Sequence, residues 1–115
     1  MDVNKLMMAT TVEHELFDGS KVKCTLAMWR LKQLANKNKK LYETVMKVLG
    51  KGTDDVFESI RVIYAAYVCA NVDSEELMSE DDFVMACGSD YAGINMTVSA
   101  LINPKKRKVS AEPSN

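Results

Sequence analysis

The side chains able to do chemistry are few and far apart. His14 is the only histidine, and the cysteines are Cys24, Cys69 and Cys87. A zinc site gathers about four ligands, commonly as closely spaced pairs, and no Cys-x-x-Cys occurs here. Three scattered thiols read instead as small buried apolar residues, so neither a metal nor a cofactor is expected. A nucleophile must lie within hydrogen-bond reach of its base. The sequence shows no P-loop, no Gly-x-Ser-x-Gly elbow and no His-based pairing of base and nucleophile.

The acids between Asp73 and Asp82 are the next candidate. An EF-hand loop needs oxygen ligands at positions 1, 3 and 5, Gly at 6 and Glu at 12. Counted from Asp73, the sixth position is Met78, and no glycine appears before Gly88. Calcium does not fit. Acids at helix N-termini, where the helix dipole favours negative charge, account for these residues. The chain therefore reads as a binding or assembly protein, not an enzyme.

The segment Pro104-Lys105-Lys106-Arg107-Lys108-Val109 has the composition of a nuclear import signal or a nucleic-acid patch. Aromatic side chains interleaved with the bases, which single-strand binding uses, are missing from it. The eight methionines are flexible, polarizable gap-fillers, most expected in the core. A surface minority would suit a protein that holds variable apolar segments.

The elements that must position these residues follow from periodicity. Val12, His14 and Leu16 alternate with polar neighbours, and Val22, Cys24 and Leu26 repeat the pattern after Asp18-Gly19-Ser20. This predicts a hairpin of Thr11–Phe17 and Lys21–Leu26. A lone hairpin is not stable in water, so its apolar face must lie on helices. Thr25 is placed to cap a first helix reaching about Ala35, with Ala27, Met28, Leu31, Leu34 and Ala35 as its apolar stripe. Trp29 falls opposite that stripe, either covered by the hairpin or exposed as an aromatic anchor.

A second helix is predicted from about Asn38 to Leu49. It buries Leu41, Val45, Val48 and Leu49, carries Tyr42 and Met46 at the edge, and has Lys39, Glu43 and Lys47 as i,i+4 ion pairs. Gly50 and Gly52 end it. Thr53 opens a third, with Phe57, Ile60, Ile63, Tyr64, Tyr67 and Val68 at helical spacing. No face is polar from Val62 to Ala70, which makes this the central helix. An acidic loop, 71–78, leads to Ser79 and Asp82, an approximate capping box for Glu80–Cys87. Ser89 then caps a last helix with Tyr91, Ile94, Val98, Leu101 and Ile102 on one face, stopped at Asn103-Pro104.

The expected fold is mainly α in an α+β arrangement, an N-terminal hairpin on a small bundle of about five helical segments. With 115 residues it forms a single domain over 1–103, loosely ordered at 1–10, followed by a disordered basic tail, 104–115. The longest apolar run, Val62–Ala70, falls far short of the ~20 residues of a membrane span. The N-terminus also lacks a signal-peptide pattern. A cytoplasmic protein is expected.

Net charge near zero hides a division. Residues 21–51 carry nine bases against Glu43, and residues 52–103 carry ten acids against Arg61. Such polarity favours head-to-tail association of identical subunits. The alternative is two ordinary solvated helix surfaces.

The segments LFDGSKVKCTLAMWRLKQLANKNKKLYE, IRVIYAAYVCANVD, MSEDDFVMACGSD and LINPKKRK carry a resemblance covering Leu16 to Lys108. By pattern, not by any chemical signature, the chain resembles the small tail assembly chaperones of long-tailed bacteriophages and prophages, especially those of Gram-positive hosts. The resemblance implies a helical domain that coats the aggregation-prone tape measure protein in several copies. It would recruit tail tube protein and leave before the tail is complete. It also implies a longer form made by ribosomal frameshifting, for which Lys105-Lys106 is the expected place. On this reading Trp29, Met28, Tyr42 and Met46 are the candidate partner-binding residues, in a homo-oligomer working in the host cytoplasm. Neither a membrane nor nucleic acid is an expected partner. The alternative is a small helical nuclear or nucleic-acid-associated protein using Lys105, Lys106, Arg107 and Lys108.

Overall fold

A computed structural model describes residues 10–103. The expectations for residues 1–9, Met7 and Met8 among them, and for the basic tail lie outside the described residues. The order is β1 (Thr11–Glu15), β2 (Lys21–Thr25), α1 (Met28–Lys37), α2 (Lys39–Lys51), α3 (Val56–Ala70), α4 (Glu80–Cys87) and α5 (Tyr91–Ile102). The fold is α+β, an antiparallel hairpin followed by five helices among the described residues.

The hairpin pairs Thr11 with Thr25 and Glu15 with Lys21. Its strands are one or two residues shorter than expected because Leu16 and Phe17 belong to the connection. The Leu16 N–H donates to the Ser20 carbonyl at 2.7 Å, and the Gly19 N–H donates back to the Leu16 carbonyl. Asp18 accepts from both the hydroxyl and the N–H of Ser20, which lowers its pKa. Gly19 sits at φ +90°, a conformation that costs a side-chain-bearing residue energy. Inward alternation then buries His14, Leu16 and Cys24, while Val12 and Val22 pack half-buried against the core.

The helix starts differ from expectation, and competition for side chains explains each case. Thr25 is claimed by β2, so it does not cap α1. Its hydroxyl donates to the Thr10 carbonyl and accepts from the Ala27 N–H, and α1 begins after Ala27 without a side-chain cap. Asn38 caps α2 by accepting from the Leu41 N–H, and Gly52, at φ +84°, ends it; Gly50 lies inside the helix. Asp55, not Thr53, caps α3 by accepting from the Glu58 N–H. Ser79 caps α4 through the Asp82 N–H. Asp90, not Ser89, caps α5 through the Gly93 N–H.

α3 is the centre of the molecule, in contact with β2 and all four other helices. Val62, Ile63, Ala65, Ala66 and Cys69 are essentially inaccessible. That matches the absence of a polar face between Val62 and Ala70. Around it lies one core that takes in Leu16 and Cys24 of the hairpin, Leu31 and Leu34, Leu41 and Val45, Phe83, and Ile94. Phe83 is clasped by Tyr64 and Tyr67, with ring centroids 5.4 and 5.2 Å away. The same tyrosines hold the acidic loop. Tyr64 donates to the Met78 carbonyl, and the Met78 N–H donates to the Tyr67 oxygen.

Stripe boundaries are the weaker part of the sequence reading. Met28, Leu49, Phe57 and Tyr91, all assigned to apolar faces, are exposed. Each sits within the first or last turn of its helix. Lys47 does not pair with Glu43. It reaches Asp54 at 2.9 Å and Glu58 at 2.8 Å, closing the α2–α3 connection. No helix among the described residues is long and apolar enough to cross a membrane.

Candidate functional site

The apolar side chains left in water are the most distinctive surface feature. The first turn of α1 carries Met28, 87% exposed, and Trp29, 47% exposed. The hairpin does not cover Trp29. The Arg30 guanidinium carbon lies 4.2 Å from its ring centroid, a cation–π contact that holds the indole in place while leaving it accessible. Met46 is 45% exposed on α2, whereas Tyr42 is half-buried against the core. Of the four candidate partner-binding residues, three are accessible and Tyr42 is partly committed to the fold.

The methionines reverse the expectation that most are core. Met28, Met46, Met85 and Met96 are exposed among the described residues, and Met78 is half-buried. Phe17, Leu49, Phe57 and Tyr91 are exposed as well. Sequence reasoning missed Phe17 because its strand pattern continued past Glu15. Its N–H instead donates to the Ala86 carbonyl at 2.7 Å, and its ring lies against Gly88, where a Cβ would clash with it.

The charge division survives only in part as free charge. Lys47 is neutralised by Asp54 and Glu58, and Arg61 binds Glu80 at 2.8 Å. Lys32, Lys39, Lys40 and Lys51 remain exposed on α1 and α2, as do Asp73, Glu75, Glu76, Asp81 and Asp82 on the acidic side.

The fold also assembles a polar cluster that sequence distance concealed. His14 Nδ1 lies 2.7 Å from Thr97 Oγ1, and Nε2 lies 3.8 Å from Cys87 Sγ. A histidine and a thiol at this separation have the residue types of a base–nucleophile pair. Burial argues for a structural link. Cys87 is 2% exposed, and burial raises its pKa, favouring the unreactive thiol over the thiolate. Burial likewise lowers the His14 pKa, opposed by the negative charge of Asp90, so the neutral ring is favoured. The cluster joins β1 to α4 and α5.

Cys24 and Cys69 are pushed up to about 12 and about 11 by burial. They serve as small packing residues. Among the described residues no group of three or more His, Cys, Asp or Glu is arranged to hold a metal ion.

One open groove of about 440 Å³ runs between β1 and α5, lined by Glu13, Glu15, Lys21, Asp90 and Met96, with His14 at its floor. No family model, curated protein or solved structure matches this chain.

Proposed function

We propose that this protein is a tail assembly chaperone of a long-tailed phage or prophage, which binds apolar stretches of the tape measure protein in the host cytoplasm and helps recruit tail tube subunits. The observation that carries the reading is the exposure of flexible apolar side chains, Met28, Met46, Met85 and Met96, together with Trp29. Unbranched thioethers can repack against many different apolar sequences. A semi-fixed indole supplies the larger anchoring contact that a weak, adaptable surface otherwise lacks. These side chains project from helices pinned to one well-packed core, so the surface adapts without loss of fold.

Several copies acting together follow from the same surface. Exposed lysines on α1 and α2 and exposed acids from Asp73 to Asp82 give each subunit two complementary ends. A longer frameshifted form would bring the same domain to the growing tail.

Co-expression with an insoluble tape measure fragment tests the reading. The fragment should appear in a soluble complex, and Trp29→Ala should weaken that complex by ~2 kcal/mol or more. A fragment that stays insoluble rejects chaperone function. Solubilisation through Lys105–Lys108 alone would favour the nucleic-acid alternative.

A further inference from the structure

We propose that the outer edge of β1 is a strand-addition site: an extended segment of a partner protein, basic on one face and apolar on the other, pairs with the main chain of Glu13 and Glu15 and lies over α5. The hairpin register decides which groups are free. The Leu16 N–H donates to the Ser20 carbonyl, and these two residues continue the register that pairs Glu15 with Lys21 and His14 with Val22. Bonded and non-bonded pairs alternate along an antiparallel ladder. His14–Val22 and Val12–Cys24 are therefore the bonded pairs, and the N–H and C=O groups of Glu13 and Glu15 point away from β2. Among the described residues no other hydrogen bond engages these four groups. They are spaced two residues apart along one edge, the pattern that an extended chain satisfies.

The neighbouring groove of about 440 Å³ supplies the room. It is lined by Glu13, His14 and Glu15 in succession. Successive strand residues face opposite sides of a sheet, so a border shared by all three runs along the strand's edge. His14 reaches Thr97 beneath the sheet, which sets α5 as the floor. Ala92 and Met96 of that floor are exposed and Gly93 half-buried, a small-residue surface with one apolar side chain for the inner face of an added strand. Charge selects the occupant but does not drive it, because Glu13 and Glu15 already lie opposite Lys23 and Lys21 and Asp90 caps α5. A second copy's β1, running antiparallel about His14, would set Glu13 against the copy's Glu15, and like charges directly opposite are unfavourable. A lysine in that place continues the Glu–Lys pairing of the hairpin. The site shares only Met96 with the surface invoked for chaperone function, and the solubilisation test stands whatever happens at this edge.

The probe is the end-blocked peptide KVKVK, added to the full chain and followed by NMR. Its lysines fall opposite Glu13 and Glu15, so their main-chain groups face β1. Shifts and slowed hydrogen exchange at the Glu13 and Glu15 amides should saturate at about millimolar peptide, the weak range expected where a short flexible chain must be ordered. The same peptide N-methylated on the main chain at its lysines keeps the charge and loses those donors; it should bind at least about tenfold more weakly. Met96→Ala, at an exposed position, should weaken KVKVK at least about threefold by removing apolar contact. Equal binding of the two peptides would mean adsorption by charge and overturns the proposal. An unchanged Glu13 and Glu15 at several millimolar peptide, or protection appearing at Lys21 and Lys23 instead, also overturns it. Protection that grows with protein concentration in the absence of peptide assigns the edge to a second copy and refutes the partner strand.

Discussion

His14→Ala tests whether the hairpin is tied to the helical body through one imidazole. In the native protein Nδ1 lies 2.7 Å from Thr97 Oγ1, at a site where His14 is 2% exposed. Removing the ring strands the Thr97 hydroxyl without its partner, at a cost of about 1–3 kcal/mol. The vacated volume of about 60 Å³ costs a further ~1.5 kcal/mol at ~24 cal/mol per Å³. A loss of about 3–4 kcal/mol is expected, a large part of a typical total of ~5–15 kcal/mol. Urea unfolding measures it as a lower midpoint at unchanged slope. Thr97→Val supplies the second arm of a double-mutant cycle, in which a coupling of at least ~0.5 kcal/mol is expected.

The same histidine predicts a pH dependence. Burial lowers its pKa below 6.5 in the folded protein, with Asp90 opposing the shift. As pH falls, the unfolded chain takes up the proton first. Stability from the neutral ring is therefore complete above the unfolded value of 6.5, and is lost as pH drops from there through the lower folded value. His14→Ala should flatten this part of the stability profile, on the acid side of the unfolded value of 6.5. A loss below ~1 kcal/mol with no coupling to Thr97→Val, or an identical pH slope in both proteins, would refute the link.

Gly88→Ala should destabilise by about 1–3 kcal/mol, measured by urea unfolding, because Gly88 lies at φ +63° with Phe17 where a Cβ would go; an unchanged midpoint would contradict that geometry. Ile63→Asp should unfold the domain, since an unpaired carboxylate at a fully buried site costs several kcal/mol. A soluble Ile63→Asp protein with native circular dichroism would refute the central position of α3. Self-association through the charged ends should weaken between about 0.1 and 1 M salt, and sedimentation showing one oligomer at both concentrations would reject charge-driven assembly.

Local chemistry was enough to reveal most of the elements. Period-2 alternation around Asp18-Gly19 defines the hairpin, and the unbroken apolar face from Val62 to Ala70 marks α3 as central. Ser79 and Asp82 locate α4 to the residue, because caps and turns are decided by neighbours in the chain. Cap choice was less legible where two acceptors competed, as at Thr53 against Asp55 and Ser89 against Asp90. Which hydroxyl or carboxylate meets the first free N–H depends on backbone angles that composition does not encode.

Exposure and long-range pairing belonged to tertiary structure alone. Whether Trp29 lay under the hairpin was undecidable from periodicity, which gives a residue's face but not what covers it. The fold leaves the indole open and places Arg30 against it. Met28, Leu49, Phe57 and Tyr91 fit apolar stripes by angle, yet the fold leaves them exposed. His14 and Cys87 are separated by 73 residues, and no local pattern joins them. They meet because β1 and α4 pack on the same side of the core, bringing their inward faces together around Phe83.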